Sequence, residues 1–347
     1  MDIQPLQNYI NTQTETDSFS GTVLVSKNEK IILESATGFA NKEKQILNKI
    51  DTKFSLGSAN KMFTSVAITQ LVDNGLLSFT DKVGKFLPDY PNKVIRDKVT
   101  IDQLLTHTSG LGHYLANKKK FLAVRKSLRS IKDFVDFFKN EPLKFAPGTK
   151  YEYSGDGYEL LGLIIEVITN QNYYSFVKKH IFNAANMPNT DSYELDFDHL
   201  QDDFAVGYTL RGDDGESKLE GERRNAAFMS LVKGGAGGGG YSTCHDLLSF
   251  SHALLQDKLL SPEMTKLATT PKVEIGTKNG QTLYYGYGFQ ILELEDGHQR
   301  IGHGGAFAGV STRIDMYPWQ NLIVIALSNY DEPSAHQIAN KAAELIT

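Results

Sequence analysis

The sequence predicts a mixed α/β fold of the α+β kind, with one antiparallel sheet built from N- and C-terminal segments and flanked by helices. Two observations predict it: β-rich runs lie near both ends of the chain, and the middle is mainly helical. We expect residues 1–58 and 225–347 to form the sheet subdomain, and residues 59–224 an inserted helical subdomain of the same single domain. A cleft where the two parts join is a natural place for a functional site.

The individual elements follow from spacing and turn residues. Residues 3–14 favour a first helix, and β-rich runs on either side of residues 27–30 indicate a hairpin of 21–26 with 31–36. Turn residues divide a second β-rich block into strands expected at 287–293, 300–302, 310–316 and 322–328, before a last helix over 334–346. Helical spacing predicts the remaining helices over 61–74, 101–106, 130–139, 156–169, 172–182 and 244–257.

Composition limits the classes of partner. The chain has 347 residues and a formal net charge of −5, which gives no indication of a nucleic-acid partner. No run approaches the about 18 apolar residues of a membrane helix, so no membrane span is expected. Cys244 is the single cysteine, which excludes an internal disulfide. Residues 1–19 lack a signal-peptide core, so the protein is expected to be cytoplasmic, or secreted or periplasmic if a targeting segment was trimmed. The oligomeric state is left open.

The segment of most chemical interest surrounds Ser58. From Lys61 onward, apolar residues recur at three- and four-residue steps, which is the spacing of a buried helix face, and Gly75 offers a left-handed end. Ser58 is therefore expected at the helix N-terminus, with Lys61 one turn along. A serine hydroxyl needs a base within hydrogen-bond reach to act as a nucleophile, and a lysine amine can serve if burial keeps it neutral. Free N–H groups at the helix start can stabilise negative charge beside the serine.

The Ser-x-x-Lys pattern alone is weak, because the chain contains three matches: Ser58/Lys61, Ser175/Lys178 and Ser230/Lys233. The surroundings separate them. Ser175 lies in what reads as an ordinary amphipathic surface helix, and Ser230 runs into a glycine tract that no helix would hold together. Only Ser58 precedes a strongly apolar helix.

The glycine tract at 234–240 is expected to be a loop of close backbone approach. It lacks the Gly-Lys-Ser/Thr ending of a phosphate-binding loop. The sequence also contains no His-Glu-x-x-His, no paired Cys-x-x-Cys and no Gly-x-Ser-x-Gly motif. These absences weigh against zinc hydrolysis and an α/β-hydrolase elbow, and no metal or organic cofactor is predicted.

Several motifs together resemble one family. They are Ser58-Ala59-Asn60-Lys61, the stretch 104–111, Pro147-Gly148 leading to Tyr153-Ser154-Gly155, the stretch 240–243, and His303-Gly304-Gly305. From about residue 20 to its end, the chain resembles the serine β-lactamase and penicillin-binding-protein superfamily. The similarity is to the class C branch, which includes D-alanyl-D-alanine carboxypeptidases, D-aminopeptidases and β-lactamase-like esterases. The resemblance implies a β-lactamase/transpeptidase-like fold.

The resemblance also implies roles for three side chains. Ser58 matches the acylated nucleophile, Lys61 the adjacent base, and Tyr153 the tyrosine of the family's Tyr-x-Asn motif. The phenol would take the serine proton and pass it to the leaving group, and near neutrality it would need the lysine charge to lower its pKa from about 10. Tyr151 is the rival two residues upstream, but Tyr153 keeps the family's spacing to Gly157.

The strand motif His303-Gly304-Gly305 matches the family's Lys-Thr-Gly motif in a His-x-Gly form. Its glycines would let a substrate lie against the strand edge. By resemblance, the backbone N–H groups of Ser58 and Ala306 would form an oxyanion hole. His303 would contact a substrate carboxylate or tune Tyr153, whereas His107 is expected to be structural.

One residue departs from the family pattern. Gly155 stands where the Tyr-x-Asn motif has an asparagine, whose amide contacts the lysine and the substrate's acylamino group. That contact is either lost or taken by a neighbour, and Asp156 is the nearest candidate. Because simple esters need less positioning of the acyl chain, the departure disfavours efficient turnover of peptides and β-lactams.

Our leading hypothesis is a serine hydrolase that acts through an acyl-enzyme on Ser58, with esters or D-amino-acid-containing peptides as substrates. One alternative, motivated by Gly155, is a non-catalytic protein of the same fold that binds a small-molecule or peptide ligand. The other alternative is a β-lactamase.

Overall fold

The structure is a computed structural model that describes residues 2–278 and 280–346. Met1, Asn279 and Thr347, all three within the predicted sheet subdomain, fall outside the described residues. The predicted division into two subdomains stays a prediction.

The described residues form strands and α-helices joined by loops of very different lengths. The strands are Gly21–Lys27 (β1), Lys30–Thr37 (β2), Phe39–Asn41 (β3), Ile46–Leu47 (β4), Phe54–Ser55 (β5), Tyr208–Thr209 (β6), Arg224–Asn225 (β7), Tyr241–Ser242 (β8), Val273–Lys278 (β9), Gln281–Tyr285 (β10), Gln290–Glu293 (β11), Gln299–Phe307 (β12), Val310–Tyr317 (β13) and Leu322–Ser328 (β14). The α-helices are Gln4–Glu15 (α1), Lys61–Asp73 (α2), Val83–Phe86 (α3), Lys93–Lys98 (α4), Ile101–Leu105 (α5), Lys118–Val124 (α6), Ile131–Phe138 (α7), Asp156–Thr169 (α8), Tyr173–Val177 (α9), Cys244–Leu255 (α10), Pro262–Ala268 (α11) and Ser334–Ile346 (α12).

One antiparallel sheet joins the two ends of the chain. Within the described residues it has eight strands in the order β2-β1-β14-β13-β12-β11-β10-β9. Strand β1 pairs with β14 in a register that places Val23 opposite Ala326. The helices of the middle segment are inserted between the N-terminal and C-terminal strands. This arrangement confirms the predicted fold class.

Apolar cores lie on both faces of the sheet. On one face α1 and α12 pack together over β1 and β14, with Ile10 and Ile338 fully buried between them. On the other face α2 and α10 belong to the larger core, which continues into the inserted helices. Burial of these side chains is the main term that holds the helical layers on the sheet.

Helix α2 runs through the centre of the molecule. Every residue from Lys61 to Thr69 is buried, so the helix is enclosed on all sides and not only on the apolar face that its spacing predicts. It ends as expected, since Asn74 is its C-cap and Gly75 adopts a positive φ of 68°. A central helix of this kind holds its first residues in a fixed position relative to the sheet.

The structure also contains elements that were not predicted, among them the helices α3, α4, α6 and α11. Three further differences concern the sheet and the helix after α8. The hairpin of β9 and β10 was not predicted, although the sequence carries a hairpin signal there, Asn279-Gly280 between two β-rich runs. The predicted strand 300–302 is longer and continues to Phe307, because His303 to Phe307 pair with β13 despite their glycines. The predicted helix 172–182 is α9 followed by a π-helical turn at Lys178–Phe182.

In the described part of the chain, no helix has the length and apolar character needed to cross a bilayer.

Candidate active site

A cleft of about 330 Å³ opens where the edge of β12 faces the inserted helices. Strand β11 pairs with β12 only as far as Gly302, so within the described residues the edge from His303 to Phe307 has no strand partner on that side. The cleft is lined by this edge, by Ser58, by Tyr153 and by the glycine segment 237–239. Its volume is in the range of small-molecule sites.

Ser58 lies in a 3-10 turn, Gly57–Asn60, that leads into α2. The turn packs closely against β12. A Cβ placed on Gly57, whose φ is 50°, would lie 3.0 Å from the Ala306 backbone nitrogen, and one on Gly305 would lie 3.1 Å from the Ser58 nitrogen. The absence of side chains at Gly57 and Gly305 therefore lets the backbone around Ser58 approach the backbone around Ala306. The backbone N–H groups of these two residues are donors of the kind that can stabilise an oxyanion.

Lys61 is fully buried beneath Ser58. Its Nζ donates a hydrogen bond of 2.5 Å to the Gly237 carbonyl and lies 3.4 Å from the Ser58 hydroxyl oxygen. Burial lowers the pKa of Lys61 to about 7, although the nearby Glu159 carboxylate opposes the shift. Near neutral pH a large fraction of the amine is therefore uncharged and able to accept a proton.

Tyr153 is the third member of this group. The Lys61 Nζ lies 4.7 Å from the centre of the Tyr153 ring. The phenol oxygen is shielded from solvent and makes no hydrogen bond of normal geometry within the described residues, but the Ser58 hydroxyl is close enough to lower its pKa slightly. Burial has the larger effect and raises the pKa. The expected lowering of this pKa does not occur, because burial raises it, and the phenol stays protonated.

The rival tyrosine and the rival serines lie elsewhere. Tyr151 does not line the cleft, and its ring packs 6.2 Å from that of Tyr285. Ser175 is exposed on α9, where Lys178 forms an ion pair of 2.7 Å with Asp191. Ser230 lines the cleft but donates to a backbone carbonyl in its own turn, 3.1 Å away. Only the Ser58 pattern has its lysine buried against the serine.

The glycine tract at 234–240 is held in place by a side chain that the sequence analysis missed. Glu159 on α8 is fully buried, and its carboxylate accepts hydrogen bonds from the N–H groups of Ala236 and Gly237 at 2.8 and 2.9 Å. Any side chain on Gly237 would approach the same carboxylate at 3.0 Å. Glu159 thus fixes the carbonyl to which Lys61 donates. The sequence signal that could have identified Glu159 was an acidic residue within a predicted helix made mostly of apolar residues.

His303 lines the cleft, with its ring centre 6.4 Å from that of Tyr153, but both of its ring nitrogens have internal partners. Its Nδ1 donates to the Gly304 carbonyl at 2.5 Å, and its Nε2 accepts from the Tyr285 hydroxyl at 2.9 Å. Burial lowers its pKa to about 3, so the ring is neutral. No ring nitrogen remains to bind a substrate carboxylate. His107 is also fully buried, and its Nδ1 accepts from the backbone of Ser154 at 3.1 Å, which is a structural contact.

The space beside Gly155 is filled by His113. A Cβ on Gly155 would lie between 2.8 and 3.0 Å from three atoms of the His113 ring. Asp156 is not the replacement, because its side chain is buried outside the cleft lining, and burial raises its pKa to about 7. His113 was not singled out from the sequence, since it lies 42 positions before Gly155.

In the described residues, no three His, Cys, Asp or Glu side chains are grouped as metal ligands would be.

Comparison with known proteins gives the family. The family model described as Beta-lactamase matches residues 6–347, nearly the whole chain. The chain belongs to the beta-lactamase family. Penicillin-binding protein 4* of Bacillus subtilis (strain 168) is 32% identical over 351 aligned residues, which cover 98% of this chain and 75% of that protein.

Solved structures agree with the family assignment. A penicillin-binding protein from Bacillus halodurans superposes with a TM-score of 0.85 and 32% identity, and the match covers 98% of this chain and 99% of that chain. The D-amino acid amidase of Ochrobactrum anthropi has a TM-score of 0.82 over 99% of this chain and 98% of its own, but at 19% identity it shows the fold alone. The beta-lactamase family is one of serine hydrolases, so this chain is of serine-hydrolase type.

Proposed function

We propose that this beta-lactamase family member is a hydrolase that forms an acyl-enzyme on Ser58, with esters or D-amino-acid-containing peptides as substrates. The observation that carries the proposal is the position of Lys61. Its buried amine, with a pKa of about 7, lies 3.4 Å from the Ser58 hydroxyl in the wall of a ligand-sized cleft. An activated serine requires a base of this kind.

In the proposed acylation step, each of these groups has one role. The Ser58 oxygen attacks the substrate carbonyl while its proton passes to the neutral Lys61 amine. The Ser58 and Ala306 N–H groups stabilise the negative charge on the carbonyl oxygen. The Tyr153 phenol then gives its proton to the leaving group and recovers one from Lys61, so that the protons balance. Water releases the acid and regenerates Ser58.

The lining of the cleft supports esters ahead of peptides that end in a free carboxylate. No Lys or Arg is among the described residues that line it, since Lys61 lies buried beneath Ser58. Three half-buried apolar side chains, Leu115, Leu231 and Phe307, form part of the wall. A carboxylate would meet no cation there, whereas an apolar acyl or alkyl group would be desolvated favourably.

The test is covalent labelling of Ser58. Purified protein is incubated with a fluorophosphonate probe and, separately, with fluorescent penicillin, and the adduct is located by intact-mass measurement and peptide mapping. We expect fluorophosphonate to modify Ser58, and Ser58→Ala to remove the modification completely. The same sample should hydrolyse p-nitrophenyl esters.

The matched control is Ser175→Ala, because Ser175 has the same Ser-x-x-Lys pattern but is exposed on α9. This variant should label at the wild-type rate. A wild-type protein that resists both probes, yet binds a ligand equally well with and without Ser58, would support the non-catalytic alternative. Rapid turnover of the penicillin would support the β-lactamase alternative.

A further inference from the structure

His107, just beyond the end of α5, holds the backbone on both sides of Tyr153. Its carbonyl accepts a hydrogen bond of 3.0 Å from the Glu152 N–H, and its ring Nδ1 accepts one of 3.1 Å from the Ser154 N–H. His107 has a positive φ of 60°, which is uncommon for a residue that carries a side chain. One residue therefore fixes both neighbours of Tyr153, and with them the direction in which the phenol leaves the backbone.

The His107 ring also packs against the Tyr153 ring itself. The two ring centres are 4.3 Å apart, with an angle of 42° between the planes. The Tyr285 ring contacts the same histidine at 4.5 Å, and the whole His107 side chain is buried. Tyr153 is thus held through its ring as well as through its backbone.

Hydrogen bonding determines which nitrogen of the His107 ring carries the proton. Burial lowers the pKa of His107 well below its usual range, so the ring is neutral, and an accepting Nδ1 leaves the hydrogen on Nε2. Nε2 is shielded from solvent and has no hydrogen-bond acceptor within the described residues. Its ring lies instead among tyrosine rings, whose faces carry partial negative charge. Because an unpaired buried N–H group costs free energy, its retention beside Tyr153 indicates a role in the site.

We propose that His107 is a positioning residue, which holds the Tyr153 phenol beside Lys61 so that the phenol can give its proton to the leaving group. This proposal rests on the proposed function, in which Tyr153 is the proton donor. His107 touches no substrate and acts only through the tyrosine. Loss of its contacts should therefore affect each substrate according to how much its leaving group needs a proton. A displacement of about 1 Å in such a group can cost about a hundredfold in rate.

The test compares two esters of one acid, p-nitrophenyl pentanoate and ethyl pentanoate, with kcat/KM measured from the release of acid. p-Nitrophenolate leaves without a proton donor, whereas ethoxide must be protonated as it leaves. In His107→Asn, kcat/KM for the p-nitrophenyl ester should stay within about threefold of wild type, and that for the ethyl ester should fall at least about tenfold. Asparagine suits the test because it tolerates a positive φ and keeps an oxygen that can accept the Ser154 N–H, while the ring is lost.

Two further variants separate positioning from packing. Tyr153→Phe removes the hydroxyl but keeps the ring, and should show the same selective loss on the ethyl ester. Adding His107→Asn to Tyr153→Phe should then change the ratio of the two kcat/KM values by less than about twofold. Phe250→Leu is the matched control, because its ring is equally buried in the same core but packs on Phe63. This variant should unfold at a lower concentration of guanidinium chloride and keep the wild-type ratio.

Each outcome has one meaning. A selective loss that is absent when Tyr153 is already phenylalanine would support the role of His107. An equal loss on both esters in His107→Asn, a further change of the ratio in the double variant, or a Tyr153→Phe variant with the wild-type ratio would overturn it, while fluorophosphonate labelling of Ser58 continued to support the proposed function. A wild-type protein that neither labels nor hydrolyses either ester would overturn both. Circular dichroism of each variant confirms that the fold is retained.

Discussion

Lys61 illustrates how burial changes the chemistry of one side chain. In water its amine would be charged at pH 7, but in this structure no water reaches it and its pKa is about 7. With one N–H directed to the Gly237 carbonyl, the lone pair of the neutral amine is available to the Ser58 hydroxyl. The same burial raises the pKa of Tyr153 and keeps its phenol protonated. In the proposed acylation, these two pKa values favour Lys61 as the proton acceptor and Tyr153 as the proton donor.

The first prediction concerns pH. Only the neutral amine accepts a proton, so kcat/KM for p-nitrophenyl pentanoate should rise about tenfold per pH unit below about pH 7 and level off above it. The sign follows from the lowered pKa of Lys61. The rate is measured from about pH 5 to about pH 9 at constant ionic strength, after subtraction of spontaneous hydrolysis. A profile without an inflection near pH 7 would contradict the assignment of Lys61 as the base.

At the scale of elements, helix α8 positions the glycine segment. The Glu159 carboxylate accepts hydrogen bonds from two backbone N–H groups of that segment. The Gly237 carbonyl in the same segment accepts the hydrogen bond from Lys61. A Cβ on Gly235 would collide with the carboxylate at 2.4 Å, and one on Gly237 would contact it tightly at 3.0 Å. Glu159 is a positioning residue that also raises the pKa of Lys61 through its charge.

The second prediction is a shift of the pH profile in Glu159→Gln. Burial raises the pKa of Glu159 itself to about 7, so only part of its charge is present where Lys61 titrates. Removal of that charge should lower the pKa of Lys61 further and move the acid limb of the profile to lower pH, by less than about one unit. The amide retains only one acceptor for the two N–H groups, which should lower the free energy of unfolding by about 1–3 kcal/mol.

The matched control is Glu166→Gln, on the same helix but away from Lys61, where the carboxylate also accepts a backbone N–H, that of Tyr173, at 2.9 Å. This variant should lose some stability and keep the wild-type pH profile. If Glu159→Gln shows the wild-type inflection, the electrostatic link to Lys61 is refuted.

The pairing of β12 shows which elements local patterns describe poorly. Residues 303–305 contain two glycines and read as a break in the strand, but the structure continues the strand to Phe307 because β13 supplies partners for all of these residues. By contrast, α2 and the hairpin of β1 with β2 were predicted within one or two residues, since their apolar spacing is a local property.

In the whole molecule, the sheet is complete only when the last strand pairs with the first. Strand β1 lies between β2 and β14, and α10 packs across β1 with Cys244 buried against Thr22, whose Oγ1 is 3.2 Å from the sulfur. Contacts of such large separation along the chain make cooperative unfolding the expected behaviour.

The third prediction uses Cys244 as a reporter of that unfolding. Burial raises the pKa of its thiol to about 12, so in the native protein Ellman's reagent should react at least about a hundredfold more slowly than in guanidinium chloride. The reaction is followed by absorbance across a denaturant series, with circular dichroism on the same samples. Coincident transitions are expected, and early exposure of the thiol would show that α10 detaches before the sheet unfolds.

By itself, the sequence determined the order of the motifs, the type of each long element, the pairing of chain ends in one sheet and the Ser58/Lys61 pattern. These depend on residues that are close in the chain, or on motifs recognisable wherever they fold. Only the tertiary structure decided that His113 fills the place of a side chain at Gly155, that Glu159 holds the segment to which Lys61 donates, and that burial raises the pKa of Tyr153. Such contacts join residues from different elements, and their energies depend on the exclusion of water. Neither the contacts nor the burial can be read from a local sequence pattern.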